Sequence, residues 1–213
     1  MGTAASDSTN ALRAEIVRRV GRENLRNLLA RVGFDATHWV RVVAYRECHD
    51  WITALGSERL DTLEIAPGHY WRNLPFKSYK TVDFPEFDVC NDVLHDRFDL
   101  IIADQVFEHV HRPWAAARNV HKMLRPGGHF LCIVPFLLKV HGYPDDCTRW
   151  TENGLRHLLA DAGFREDGIR SGSWGNRSCA IANFRHGWRL YGFGRTLRHE
   201  GDFPVMSWAL ARA

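Results

Sequence analysis

The sequence predicts an α/β fold, a doubly wound and mostly parallel sheet in one domain. Two observations carry this. Short runs rich in apolar and β-branched residues recur at residues 60–66 (LDTLEIA), 79–84 (YKTVDF), 98–103 (FDLIIA) and 129–135 (HFLCIVP). Runs apolar on both faces are what a strand buried in a parallel sheet needs. Helix-like segments alternate with them, and that alternation builds a parallel sheet through crossover connections.

Residues 8–32 read as helix, with Leu12, Ile16 and Val20, then Leu25, Leu28, Leu29 and Val32, at helical spacing. Gly21 and Gly33 punctuate that stretch. Residues 38–55 follow as a further helix, with Trp39, Val43, Cys48, Trp51 and Leu55 facing inward. Residues 1–56 are thus expected to form a helical segment that covers the site or makes a homodimer contact. Residues 57–213 are expected to form the core. Residues 113–124 read as a helix, with Pro113 at its start and Arg125-Pro126-Gly127-Gly128 as its stop. Residues 151–162 read as another, capped by Thr151 and Gly163. Residues 171–176 (SGSWGN) read as a loop and residues 203–211 as a last strand. Residues 183–199 carry no clear period.

Composition bounds the function. The chain has 213 residues, enough for one good core. A net charge of +3, with no long run of like charge, does not point to nucleic acid. Five cysteines without a C-x-x-C pair suggest neither a disulfide framework nor a zinc ribbon. Reduced thiols and a cytoplasmic location are expected. The polar residues 1–10 do not read as a signal peptide, and no apolar run is long enough to span a membrane.

Two acidic residues stand at strand ends. Glu64 opens the turn Glu64-Ile65-Ala66-Pro67-Gly68, and Asp83 follows nineteen positions later. Ligands in doubly wound sheets bind outside the carboxyl ends of strands, and an acid about 20 residues downstream suits a ribose diol. Pro-Gly turns and strand-end Asp caps are common in their own right. The third segment adds weight, because an apolar strand runs straight into Asp104-Gln105 and a polar stretch.

The ordered set LEIAPG, VDF, FDLIIADQVFEHV, MLRPGGHFLCIVPF and LLADAGF resembles the class I methyltransferases of the type 11 branch. The resemblance implies a Rossmann-like seven-stranded sheet with N-terminal helices, and S-adenosylmethionine as cofactor. It implies that Glu64, Ala66 and Gly68 line the methionine end and that Asp83 holds the ribose. Asp104 and Gln105 would lie beside the transferred methyl. Ala66 and Tyr70 stand where the family has glycines. The segment from Asp83 to Asp99 is short, so a helix usually found there is expected to be missing, and Asp88 is the candidate for the adenine amine.

Residues 136–151 (FLLKVHGYPDDCTRWT) resemble a loop of methyltransferases encoded among polysaccharide and glycan genes. A narrower resemblance is to mycobacterial O-methyltransferases of methylmannose polysaccharide synthesis. His141 is then the candidate general base, since imidazole titrates near neutrality. Asp145 or Asp146 would orient its ring, and Tyr143, Asp146 and Arg149 would meet a saccharide or other small hydroxyl acceptor. A His-Gly turn with Asp caps is the plain structural alternative.

Gln105, Glu108 and His109 have i, i+3, i+4 spacing, one face of a helix. The quinone O-methyltransferases carry a Glu, Glu, His trio that binds magnesium, so Glu108 and His109 are candidate metal ligands. Two alternatives to the sugar O-methyltransferase stay open. One is a magnesium-assisted enzyme acting on a phenol or quinol. The other is a cofactor-binding protein that has lost catalysis.

Overall fold

The computed structural model describes residues 37–142, 144–187, 189–192 and 194–213. The expected helix over residues 8–32 and Tyr143 lie outside the described residues.

A six-stranded sheet runs in the order β2-β1-β3-β4-β6-β5. The strands are β1 (Asp61–Ile65), β2 (Ser78–Val82), β3 (Phe98–Asp104), β4 (Leu124–Pro135), β5 (Ile169–Trp174) and β6 (Met206–Arg212). The pairs β1–β2, β1–β3 and β3–β4 are parallel. β6 is antiparallel to both β4 and β5. Among the described residues, four α-helices accompany the sheet: α1 (Val42–Ala54), α2 (Pro113–Met123), α3 (Glu152–Asp161) and α4 (Arg177–His186). No described helix is long and apolar enough to cross a membrane.

β1, β3 and most of β4 are buried on both faces, as their composition demands, whereas β2, at the edge of the sheet, is largely exposed, unlike the buried strand expected there. In β3, alternate residues enter different cores. Ile101 and Ala103 pack with Ala116 and Val120 of α2 and with Leu155 and Leu159 of α3. Leu100 and Ile102 pack with Ala44, Cys48 and Ile52 of α1 and with Trp208 of β6. The period of two in a strand makes this division automatic.

Three expectations are corrected. The sheet has six strands rather than seven. Residues 83–97 form turns, so among the described residues β2 is the edge of the sheet and no strand lies outside it. β4 begins at Leu124, ahead of its expected start at residue 129. Its pairing slips from Phe98–Leu124 to Leu100–His129, and Gly127, at φ +77°, takes the left-handed turn within that slip.

Residues 169–174 form a strand where a loop was expected. The small residues there answer to packing. A Cβ on Gly172 would sit 2.8 Å from the Trp208 ring, so only glycine fits beneath it. Ser171 and Ser173 each donate a hydrogen bond to the Glu152 carboxylate at the start of α3, at 2.8 and 2.9 Å. The stretch without a clear period contains the end of α4. Asn176 caps that helix by accepting from the Cys179 N–H at 2.8 Å, and Gly187 ends it at φ +72°.

Gly175 joins β5 to α4 with no room for a side chain. A Cβ there would lie 2.0 Å from the Phe203 carbonyl oxygen and 2.4 Å from the Val205 nitrogen. We expect Gly175→Ala to cost about 1–3 kcal/mol, the usual range for overpacking. A urea unfolding midpoint equal to that of the parent would contradict this.

Candidate functional site

β1 and β3 are parallel neighbours, and the chain turns sharply after each. Ala66 follows β1 at φ +52° and Gln105 follows β3 at φ +60°. They are the two non-glycine residues with positive φ among those described. Such backbone costs of order 1–3 kcal/mol and persists where the surroundings impose it. Gln105 is held by its N–H, which donates to the Ile133 carbonyl at 2.8 Å, and by its side-chain amide, which donates to the same oxygen at 3.3 Å. Ala66 N–H donates to the Val82 carbonyl at 2.8 Å. The left-handed turn is thus held at an alanine.

A cavity of about 400 Å³ opens between these turns. Ala66, Gly68, His69, Tyr70, Asn73, Asp104 and Gln105 line one part of it, and Thr37, His38, Arg41 and Tyr45 line the other. Glu64 lies fully buried beneath it. Its Oε1 accepts from the Gly68 N–H at 3.0 Å, and its other oxygen accepts from the Tyr79 hydroxyl. Burial pushes the Glu64 carboxyl up to about 7, partly opposed by the Gly68 hydrogen bond. A Cβ on Gly68 would meet nothing closer than 3.9 Å, so the space above it is open to a ligand.

Asp104, at the end of β3, is held in the cavity wall by two donors. Its Oδ2 accepts from the Tyr45 hydroxyl at 2.6 Å and from the Trp71 indole N–H at 3.1 Å. Its Oδ1 is buried without a hydrogen-bond partner among the described residues. Burial raises the Asp104 carboxyl, against the pull of Arg41 and the two donors. Tyr45 also touches Tyr70, at 4.4 Å between ring centroids. Sequence reasoning missed Tyr45, Trp71 and Arg41. Tyr45 and Arg41 sit in a segment read for its apolar face alone, and Trp71 lies in a short 3₁₀ turn.

The remaining acids divide. Asp83 follows β2 and is exposed; its carboxylate accepts from the Phe84 N–H at 2.9 Å, and its backbone carbonyl accepts from the Phe87 N–H at 2.9 Å. Because Val82 pairs with Ile65 at the end of β1, Asp83 stands beside the Ala66 turn. Asp88 is placed differently from its expected adenine role. Its two oxygens accept from the Cys90 N–H at 2.9 Å and from the Asn91 amide at 2.5 Å, which makes it the cap of its own turn.

Residues 105–110 form a turn, and the next helix begins at Pro113, so the expected helix face for Gln105, Glu108 and His109 does not form. Glu108 is fully buried, and neither carboxylate oxygen has a hydrogen-bond partner among the described residues. Burial pushes it up to about 8. Backbone bonds tie this turn to the loop of residues 139–149. The N–H groups of Cys147 and Thr148 both donate to the Glu108 carbonyl, at 2.7 and 3.2 Å.

That loop brings His141 against His109, with ring centroids 5.1 Å apart. Burial and then His109 lower the His141 imidazole below its ordinary value. Neither expected aspartate orients its ring. Asp145 lies 3.2 Å from His111 Nε2. Asp146 accepts from the His141 backbone N–H at 2.8 Å and pairs with Arg149 at 2.5 Å. The Arg149 guanidinium holds the Asp146 carboxyl at about 2. Asp146 and Arg149 therefore brace the loop.

Glu108, His109 and His141 each present a ligand atom within 4.8 Å of the others. Magnesium prefers an octahedron of oxygen ligands. With Gln105 turned to Ile133, the donors are one carboxylate and two imidazoles, and that set does not fit magnesium.

Residues 19–167 match a family model described as a methyltransferase domain. The chain belongs to the methyltransferase domain family. This methyltransferase resembles in fold a S-adenosylmethionine-dependent methyltransferase from Archaeoglobus fulgidus, with a TM-score of 0.54 and 11% identity over 81% of this chain and 94% of that one. One from Clostridium acetobutylicum gives 0.52 and 13% over 82% and 95%. The Burkholderia thailandensis 1,6-didemethyltoxoflavin-N1-methyltransferase, solved with S-adenosylhomocysteine, gives 0.51 and 16% over 99% and 90%. A search of the curated proteins finds no match.

Glu64 makes the cofactor-free methyltransferase sensitive to pH. Its folded value, about 7, lies above its ordinary 4.5, so the fold binds its proton more tightly than the unfolded chain does. That stabilisation is complete below about 4.5 and is lost as pH rises through about 7. Thermal melts should show a smaller loss of Tm across this window for Glu64→Gln than for the parent. Equal losses would contradict the assignment.

Proposed function

We propose that this methyltransferase moves the methyl group of S-adenosylmethionine to a hydroxyl of a sugar or oligosaccharide. The cavity between the ends of β1 and β3 carries the reading, because it lies at the switch point where such folds bind ligands. S-adenosylmethionine supplies an electrophilic methyl on a sulfonium centre. Asp83 offers an exposed carboxylate for the ribose hydroxyls, and Asp104 keeps an acceptor oxygen for a donor group in the cavity. Ala66 and Gly68 form the cavity wall over buried Glu64. Thr37, His38, Arg41 and Tyr45 line the same cavity, which supports residues 37–56, the described part of the N-terminal segment, as a cover for the site.

His141 takes the proton of the acceptor hydroxyl as the new O–CH₃ bond forms and the S–CH₃ bond of S-adenosylmethionine breaks, with S-adenosylhomocysteine leaving. Its lowered basicity leaves the ring neutral and accepting near neutral pH. The rest of the catalysis is alignment of an in-line displacement, which rigid walls supply. Asp146 and Arg149 act through His141 by fixing its backbone, and Asp145 by holding the neighbouring His109 and His111. Polar groups interleaved with Tyr45 and Tyr70 in the cavity suit a saccharide, and a methylmannose polysaccharide is one acceptor of this class. A phenol or quinol is the second reading, supported by the same aromatic pair as a stacking wall. Neither reading uses magnesium.

Calorimetry with S-adenosylmethionine and S-adenosylhomocysteine tests the cofactor reading. We expect micromolar binding, weakened by Asp83→Ala. No binding of either would instead favour a protein that has lost catalysis. With an acceptor found by screening partly methylated sugars against phenols, His141→Ala should lower kcat by about 10²–10⁴-fold and leave cofactor affinity near that of the parent. Equal losses in both would make His141 structural. Labelling of phenols or amines with no glycan labelled would overturn the acceptor class.

A further inference from the structure

We propose that Glu108, His109 and His141 form a site for a divalent transition-metal ion of the zinc or cobalt class. The inference shares His141 with the proposed function but stands on its own geometry. Glu108 is fully buried, and both of its carboxylate oxygens lack a hydrogen-bond partner among the described residues. A buried carboxylate in that state is costly unless a proton or a cation completes it. His109 is already set as a ligand. Its Nδ1 lies against the Asp145 carbonyl oxygen, which can only accept, so Nδ1 carries the proton. The lone pair is then on Nε2, which lies 3.8 Å from Glu108 Oε1. A carbonyl that fixes the tautomer in this way is the usual outer support of a metal-bound histidine.

His141 completes the set from a second segment. The two segments are joined independently of any cation, by the bonds of Cys147 and Thr148 to the Glu108 carbonyl and of the Thr148 hydroxyl to the Phe107 carbonyl at 2.9 Å. All three ligand atoms lie within 4.8 Å of one another. Bonds of about 2.0–2.2 Å need a slightly tighter set, which small side-chain rotations supply. Two imidazoles and one carboxylate select a borderline transition metal over magnesium or calcium. Three protein ligands also leave a coordination position open. With the ion bound, the His141 lone pair is committed to it and cannot receive a substrate proton, so the two roles of His141 exclude each other.

Cobalt(II) titration of the chelator-treated full chain, read by its visible absorption, tests the site. We expect one ion per chain, displaced by zinc and not by roughly thousandfold more magnesium, in line with the ligand preferences of these ions. Glu108→Gln and His141→Ala should each weaken cobalt binding by at least about tenfold, with circular dichroism confirming their folds. If Glu108→Gln does not fold, His109→Ala takes its place. No cobalt spectrum, binding unchanged by His141→Ala, or displacement by magnesium would overturn the proposal. Turnover measured in the same titration separates this inference from the proposed function. Loss of turnover on filling the site agrees with both. Full turnover with cobalt bound leaves the site standing and removes His141 as the base.

Discussion

The parallel pairing of β1 with β3 is the constraint on which the rest of the site depends. Thr62 to Ile65 run beside Leu100 to Ala103, so both strands end at the same level. β1 is followed by a strand on one side of it, and β3 by a strand on the other. The two exits must diverge, and divergence opens the crevice. Ala66 and Gln105 bear the left-handed backbone this requires. Their hydrogen bonds to Val82 and Ile133 tie each turn to the neighbouring strand. The sheet therefore holds the turns in conformations that such residues rarely adopt by themselves.

The same constraint explains the buried acids. Glu64 and Asp104 sit one residue or less from those ends, where side chains meet the crevice and the core at once. Each is raised by burial and partly compensated by donors: Gly68 and Tyr79 for Glu64, Tyr45 and Trp71 for Asp104. The Tyr45 phenol is itself pushed far above its ordinary value by burial and by Asp104, so it stays a donor. Helix α1 is thus bound to the crevice by chemistry as well as by packing.

Much of this was legible in the sequence. The apolar runs at β1, β3 and β4 announce buried parallel strands because side chains on both faces must be apolar there. Glu64, Asp83 and Asp104 stand out in the sequence because strand ends in this architecture are where ligands bind. The parts that were not legible depend on contacts distant in sequence. Gly172 reads as a turn residue until Trp208 is seen above it. Asp88 reads as a candidate for the adenine amine until its turn closes on it. The i, i+3, i+4 spacing of Gln105, Glu108 and His109 suggested a helix, yet the chain spends those residues in a turn that meets residues 139–149. His141 was marked as a base by its loop, and only the fold shows it beside His109 and Glu108.

The most direct test of the account is a crystal structure of the full chain with S-adenosylhomocysteine. We expect density for the ligand in the cavity between Ala66 and Gln105, with its ribose hydroxyls within hydrogen-bond reach of Asp83. Ligand density elsewhere on the sheet, or a ribose that makes no contact with Asp83, would contradict it.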